Sequence, residues 1–390
     1  MILTMEAGED SFRNKCETSV KAEGNDEPLI TQNQETNERP RISQFDILDI
    51  LIFVYAICCF LFDLSFDILL AVLHYYGGNM WYFGLTVCFI AVPSFTTTAF
   101  SLQWYISDSL KKDAAPVSTK QWIVRGVFLT LQLGPILRYL DALYYGLKSV
   151  GKRRQEQKYL TDMINEAADA GILRLFECFL EDIPQLLLQL YIFARSEIET
   201  PEFYDTTELL QLFTMFVSVI AMASSLAAFE RANRKSLKHK KNMSICSTIV
   251  VALWRFFEIT ARVLALGLFA SLFLTYFFIA IALHYGIMFT WIRFMKTDFC
   301  HNKCGEFLYN LVLAIVYMFS FFSAKDGTSR HRVTFFYVLM FLENTSLMSI
   351  WFVYCPVHAR YRYPAMLIHF ISFLLGLAFM LLYYLLLHPT

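Results

Sequence analysis

Six stretches of this chain are long enough and apolar enough to cross a bilayer, and no other feature constrains its fold as strongly. Residues 50–74, 81–106, 264–290, 307–323, 333–355 and 364–388 each match the roughly 20 residues that span a hydrocarbon core about 30 Å thick. In water, continuous runs this rich in Leu and Phe would form aggregation-prone surface. In lipid they are what a lipid-facing helix requires. Over 390 residues the chain is 56% hydrophobic and 17% charged, against roughly 45–50% and 25% in a soluble domain. Because the bilayer core offers no water to backbone N–H and C=O groups, such runs are read as helices.

The net charge of −1 and the absence of a nucleic-acid motif exclude a nucleic-acid partner. Residues 1–44 carry nine acids and five bases with few large apolar side chains. This composition buries too little surface to fold alone, so a disordered tail is expected there, followed by one transmembrane domain over residues 45–390. No cleavable leader precedes the first apolar run, which is expected to act as an uncleaved signal anchor.

Charge placement sets the expected topology. Lys and Arg concentrate at 111–120, 148–158 and 231–241, whereas the loop at 196–208 is acidic. The positive-inside rule puts the basic stretches and both termini on the cytosolic side. Residues 121–147 and 245–262 are apolar but charged, and lie beside cytosolic basic segments. If each crossed fully, a basic loop would be forced outside, so each is expected to dip in and return, shielded by protein. The expected architecture is therefore an all-α polytopic membrane protein with about eight transmembrane helices plus two re-entrant helical hairpins. The crossings fall near 47–74, 81–107, 171–194, 207–230, 264–290, 307–323, 333–355 and 364–388; only Arg360 and Arg362 then sit on the unfavoured side. Two short matches, Phe179-Leu-Glu-Asp with Phe341-Leu-Glu-Asn and Leu73-His-Tyr with Leu283-His-Tyr, point to two pseudo-symmetric halves.

Charged residues inside membrane helices carry the functional information, because each is costly unless paired or hydrated. Asp63 and Asp67 are four apart and share a helix face. Arg174, Glu177, Glu181, Gln185 and Gln189 form a stripe, with Asp182 beside it and Pro184 expected to bend or loosen the helix. Arg255, Glu258 and Arg262 share another face; Arg125, Arg138 and Glu343 complete the set. Each taken singly reads as an interhelical salt bridge. Together they read as a polar interior track offering cationic and anionic stations to a zwitterionic headgroup, the acyl tails staying in lipid.

Nine cysteines are scattered, mostly as small hydrophobes within apolar runs. Cys300 and Cys304 lack the second ligand pair of a zinc site, which leaves an outer-loop disulfide or plain thiols, and no metal or other cofactor is expected. No phosphate-binding loop couples ATP to transport, no calcium loop appears, and no Ser/His/Asp or H-E-x-x-H set suggests an enzyme. Asn242 and Asn344 lie in sequons but in cytosolic or intramembrane places, so no glycan is expected.

Several segments resemble the XK-related family, named for the Kell-associated blood-group protein. They are Asp63-Leu-Ser-Phe-Asp67-Ile68, Leu133-Gly-Pro-Ile-Leu-Arg138-Tyr139, and Arg174-Leu-Phe-Glu177-Cys-Phe-Leu-Glu181-Asp-Ile-Pro184-Gln185-Leu with Gln189-Leu-Tyr. Arg231-Ala-Asn-Arg234, Trp254-Arg255, Arg262-Val-Leu-Ala-Leu, Thr297-Asp298-Phe299 and Leu387-His388-Pro389 follow in order. The resemblance implies a passive phospholipid scramblase of the plasma membrane that exposes phosphatidylserine during apoptosis. It implies activation by caspase cleavage of a cytosolic tail, and for some members a single-span glycoprotein partner. It places Asp63, Asp67, Glu177 and Glu181 on a charged ladder through the membrane, and Trp81 or Tyr82 at the outer mouth. Vertebrate caspase-activated members continue past the Leu-His-Pro, and here Thr390 follows it. The cleavage site is therefore expected in the amino-terminal tail, as in the worm cell-death member, after Asp10 or Asp26. The family also holds members that dock other proteins, including a bridge-like lipid-transfer protein, so a membrane adaptor is a second reading. A small-solute transporter is a third.

Overall fold

The computed structural model describes residues 45, 47–109, 118–151, 156–199, 206–236, 243–295, 303–322, 330–357 and 359–388. The described residues form helices α1 (Ile47–Tyr76), α2 (Met80–Ser109), α3 (Thr119–Thr130), α4 (Gly134–Gly151), α5 (Glu156–Glu177) and α6 (Ile183–Glu199). These are followed by α7 (Thr206–Ser236), α8 (Ile245–Leu272), α9 (Leu274–Met295), α10 (Lys303–Val316), α11 (Arg330–Tyr354) and α12 (Arg362–Leu382). No strand occurs among them, and the chain is an all-α multi-pass membrane protein. Among the described residues, six segments are long and apolar enough to cross: Asp49–Tyr76, Met80–Ile106, Gln211–Lys235, Leu274–Met295, His331–Tyr354 and Arg362–Leu387.

The helices form two units. One comprises Ile42–Ala282 with Arg330–Thr390; the other contains Leu283–Ser329. In the first, α8 is the most enclosed helix, packed by α6, α7, α11 and α12. Its buried side includes Val251, Ile259, Ala265 and Leu266, and Ser244 caps its amino terminus by accepting from the Ser247 N–H at 3.1 Å. The outer helices instead expose Leu51, Phe62, Leu69, Phe95, Phe213 and Leu367, as lipid-facing surfaces should. In the second unit, His284 and the Tyr317 carbonyl are 3.1 Å apart, and Trp291 packs near the Tyr317 and Phe321 rings.

Three local features follow from the sequence. The first apolar-but-charged stretch is helix–break–helix: α3 ends at Thr130 and α4 resumes at Gly134, with Pro135 in the first turn, where its missing N–H is harmless. Gln132 in the break has φ 61°. Second, the helix over residues 156–199 passes through a π-helical turn at Cys178–Asp182, just before Pro184. A proline removes one backbone donor and crowds the preceding turn, and a π turn absorbs both. Third, α6 and α8 approach closely at Gly267, where a Cβ would stand 2.6 Å from Leu190 Cδ2 and 3.0 Å from its Cγ. Gly267→Val is expected to lower stability by about 1–3 kcal/mol through overpacking, read from the thermal unfolding midpoint in detergent.

Three expected boundaries are corrected. The expected crossing at 264–290 is interrupted by the break at Phe273, and the apolar span there is Leu274–Met295. Residues 245–262 are not a separate hairpin: the helix continues unbroken to Leu272 and breaks at Phe273. The charges that argued for a short dip are paired within the bundle, so they do not force the chain to turn. Residues 307–323 are helical only to Val316 and then turn, too short a helix to count as a span. The expected crossing at 171–194 is helical throughout but too rich in charge to be recognised by apolarity. Arg362, on the unfavoured side by topology, donates to the Phe352 carbonyl at 3.0 Å and lies over its ring at 4.4 Å.

The amino end of α1 and the carboxyl end of α7 lie together, because Lys235 Nζ is 2.8 Å from Asp49 Oδ2. That arrangement also puts an acid at a helix start and a base at a helix end, where each complements the macrodipole.

Candidate functional site

The structure sorts the expected track into three clusters rather than one. The first surrounds Arg174 on α5. Its guanidinium contacts Asp63 of α1 at 2.9 Å, Glu177 at 3.1 Å and Asp182 at 3.4 Å, and its Nε donates to Ser225 Oγ at 3.3 Å. Spacing of three puts Glu177 on the same face as Arg174, and the π turn rotates Asp182 toward the same group. Asp67, one turn below Asp63 on α1, lies in electrostatic reach of Asp63, Asp182 and Arg174. Glu181 is only 8% exposed, and the carboxylates of Asp182, Glu177, Asp67 and Asp63 lie in electrostatic reach of it. Neither Asp67 nor Glu181 has a hydrogen-bond or ion-pair partner among the described residues.

A cavity of about 230 Å³ opens against this cluster. Its wall is made by Phe60, Asp63, Leu64 and Ile68 of α1, Ile90 and Ser94 of α2, Leu131 and Gln132 of the α3–α4 break, and Arg174 and Glu181. The first helix–break–helix therefore brings its tip to the charged site. A second cavity of about 300 Å³ lies on the other flank of α1, lined by Tyr55, Cys58, Phe62 and Phe66 and by Phe213, Val217 and Ala221 of α7. Asp63 contributes to both walls. An acidic, Arg-bridged chamber and an apolar groove thus share one residue.

The second cluster is closed. Arg138, with no exposed surface, contacts Glu166 at 2.6 Å and Asp169 at 3.2 Å and lies 3.7 Å over the Tyr105 ring; Tyr105 donates to Asp141 at 3.0 Å. Arg125 covers the other side of this site, 4.1 Å from the same ring. The third cluster is closed as well. Arg255 bridges Glu230 and Glu258, the latter at 2.8 Å. Tyr337 donates to Glu258 at 2.8 Å and accepts from Trp254 Nε1 at 2.7 Å. Two turns on from Arg255, Arg262 donates to Asn344 Oδ1 at 2.6 Å and pairs with Glu343 at 3.2 Å. The short sequence repeat acquires a counterpart here: Asp182 faces Arg174 as Glu343 and Asn344 face Arg262.

Glu166, Asp169, Glu230, Tyr105 and Tyr337 hold these networks together and were not anticipated. Glu166 and Asp169 have a usable signal, being three apart on a helix whose mate Arg138 needed acids. Glu230 does not, since it opens a basic run that reads as an extramembrane tail. Trp81 is 85% exposed at the start of α2, and the Tyr82 ring is 5.7 Å from that of buried His74. His74 neighbours Gln189 at 3.5 Å, and Gln211 donates to Gln189 Oε1 at 2.9 Å, which continues the polar residues along α1, α6 and α7. Asp10, Asp26 and Cys300 lie outside the described residues.

Residues 51–389 match the family described as XK-related protein. The chain belongs to the XK-related family. Two relatives extend the match over most of both partners. XK-related protein 8 of Tetraodon nigroviridis is 27% identical over 361 residues, 90% of this chain and 86% of the relative. Cell death abnormality protein 8 of Caenorhabditis briggsae is 28% identical over 386 residues, 91% of this chain and 81% of the relative. The XK-related match covers all three charge clusters and begins within α1, leaving the acidic amino-terminal segment outside it.

Proposed function

We propose that this XK-related protein is a passive phospholipid scramblase of the plasma membrane that exposes phosphatidylserine during cell death, with both termini cytosolic. The observation that carries the reading is the charged cavity beside α1, flanked by an apolar groove that shares Asp63. A lipid crossing a bilayer must shelter a polar head while its tails remain in an apolar medium, and these two chambers offer both environments across a single helix. Membership of a family with a relative named for cell death supports the physiological setting. Activation is by caspase cleavage after Asp10 or Asp26, and a single-span glycoprotein is a candidate subunit for delivery to the surface.

The test uses the full chain in liposomes with tail-labelled phospholipid and a membrane-impermeant quencher. Treatment with an executioner caspase is expected to raise the quenched fraction from about one half toward completeness. Asp67→Asn, delivered at normal levels, is expected to slow exchange. Cleaved protein that exchanges no lipid, alone or with the glycoprotein, would refute the assignment. Resistance of the tail to the caspase would instead favour an adaptor role.

A further inference from the structure

Arg234 and His388, far apart in sequence, meet through a bond that only an uncharged imidazole can accept. Beyond α12 the helix closes with a π-helical turn, Tyr383–Leu387. Pro389 disfavours helical dihedrals at the residue before it, and His388 leaves the helix at φ −66° and ψ 118°. Its ring stacks on that of Tyr384, 5.7 Å away, and meets the Tyr383 ring edge-on at 5.5 Å. There its Nε2 is 3.2 Å from Nη1 of Arg234, near the end of α7. A guanidinium has donors only, so this Nε2 must accept, and the ring carries its proton on Nδ1. A second proton removes the acceptor and sets two cations against each other at the same distance. The same turn is fastened twice more: Ser247 Oγ of α8 donates to the Leu387 carbonyl at 3.1 Å, and Leu387 packs on the cluster of Met243, Val250 and Trp254. The acids of the neighbouring helices are already engaged, Glu230 and Glu258 by Arg255 and Asp49 by Lys235, and Arg231 donates to the Met243 carbonyl. Lys235, next to Arg234, thereby ties the end of α7 to α1, and these two helices are the walls of the apolar groove.

We propose that His388 is an acid-labile latch: as a neutral acceptor it clips the turn after α12 onto the end of α7, and on protonation it lets that turn go. Imidazoles change charge between about pH 5 and 8, and the contact fixes the sign. The neutral form holds the turn, so attachment is lost as pH falls. Only the consequence for lipid rests on the scramblase reading: a freed α7 end loosens one wall of the apolar groove, and exchange rises.

Backbone hydrogen exchange of the full chain in nanodiscs, corrected for the intrinsic pH dependence of amides, is compared at about pH 7.5 and about pH 5.5, within the range where imidazoles titrate. Protection of residues 383–388 is expected to fall by roughly three- to fivefold in acid, the scale of like charges meeting where water screens them. His388→Gln keeps an acceptor without a titrating proton and is expected to stay protected at both values. His388→Lys is cationic throughout and is expected to be open at both. Wild-type protection that does not change with pH, or that falls equally in His388→Gln, would overturn the latch. With tail-labelled lipid in liposomes, His388→Lys is expected to exchange faster than His388→Gln at the neutral value. Equal and measurable rates would overturn the link from latch to groove. No exchange by either variant or by caspase-treated wild type, with the difference in protection intact, would overturn the scramblase reading and leave the latch standing.

Discussion

Arg174→Met is expected to be the most damaging single substitution in the described structure. It leaves Asp63, Glu177 and Asp182 facing one another across the α1–α5 contact with no cation between them. Removing one partner of a buried ion pair costs about 3–5 kcal/mol, and here three acids lose the same partner. A polytopic protein has little stability to spare against such a loss, so poor surface delivery and a lowered unfolding midpoint in detergent are the expected readouts. Arg174→Lys should recover only part, because an ammonium is a point charge and cannot present separate N–H groups to three carboxylates at once. Combining Arg174→Met with Asp63→Asn and Asp182→Asn should restore delivery, since neutral amides can bond one another where three anions cannot. If the single variant is delivered and unfolds as wild type does, the guanidinium is not what holds α1 to α5, and the site described above loses its central element.

The membrane class was legible because apolar length is a one-dimensional property: the runs at 50–74, 81–106, 333–355 and 364–388 coincide with spans of the structure, whereas 264–290 straddles the break at Phe273 and 307–323 is helical only to Val316. The charged stripes were legible for a related reason, since spacing of three or four fixes which carboxylates share a helix face. What the sequence could not supply is which acids meet which arginine. Arg138 finds Glu166 and Asp169 only because α4 packs along α5, and Arg255 finds Glu230 only because α7 and α8 lie side by side. Those contacts decide that two of the clusters are closed and one is open, a distinction without any trace in local pattern. The boundary error at residues 245–262 has the same origin. Charges there implied a shallow excursion from the interface, but a full-length helix tolerates them once α7 and α11 provide Glu230, Tyr337, Glu343 and Asn344. Conversely, the π turn before Pro184 was nearly readable, because proline physics demands some relief and only the form of that relief was open.

The closed third cluster permits a prediction of opposite sense. Arg255→Met alone should destabilise strongly, by about 3–5 kcal/mol, because Glu230 and Glu258 are left buried without their cation. Exchanging all three together, Glu230→Gln, Arg255→Met and Glu258→Leu, should return stability to near the wild-type value, since buried ion networks replaced by well-packed neutral groups are often no less stable. Tyr337 would lose its Glu258 acceptor but keep the hydrogen bond from Trp254 Nε1, which limits the damage. Lipid exchange by the triple variant should match wild type, because no part of this network borders the cavity or the apolar groove. The α1 cluster cannot be rescued for function in that way: neutralising it restores delivery but removes the acids that face the cavity. Measured side by side, unfolding midpoints and exchange rates of the two sets of variants separate charges that hold helices together from charges that meet the lipid. Should the triple variant be well folded and yet fail to exchange lipid, the track would run through both halves of the bundle after all, and α8 would join α1 and α5 in lining it.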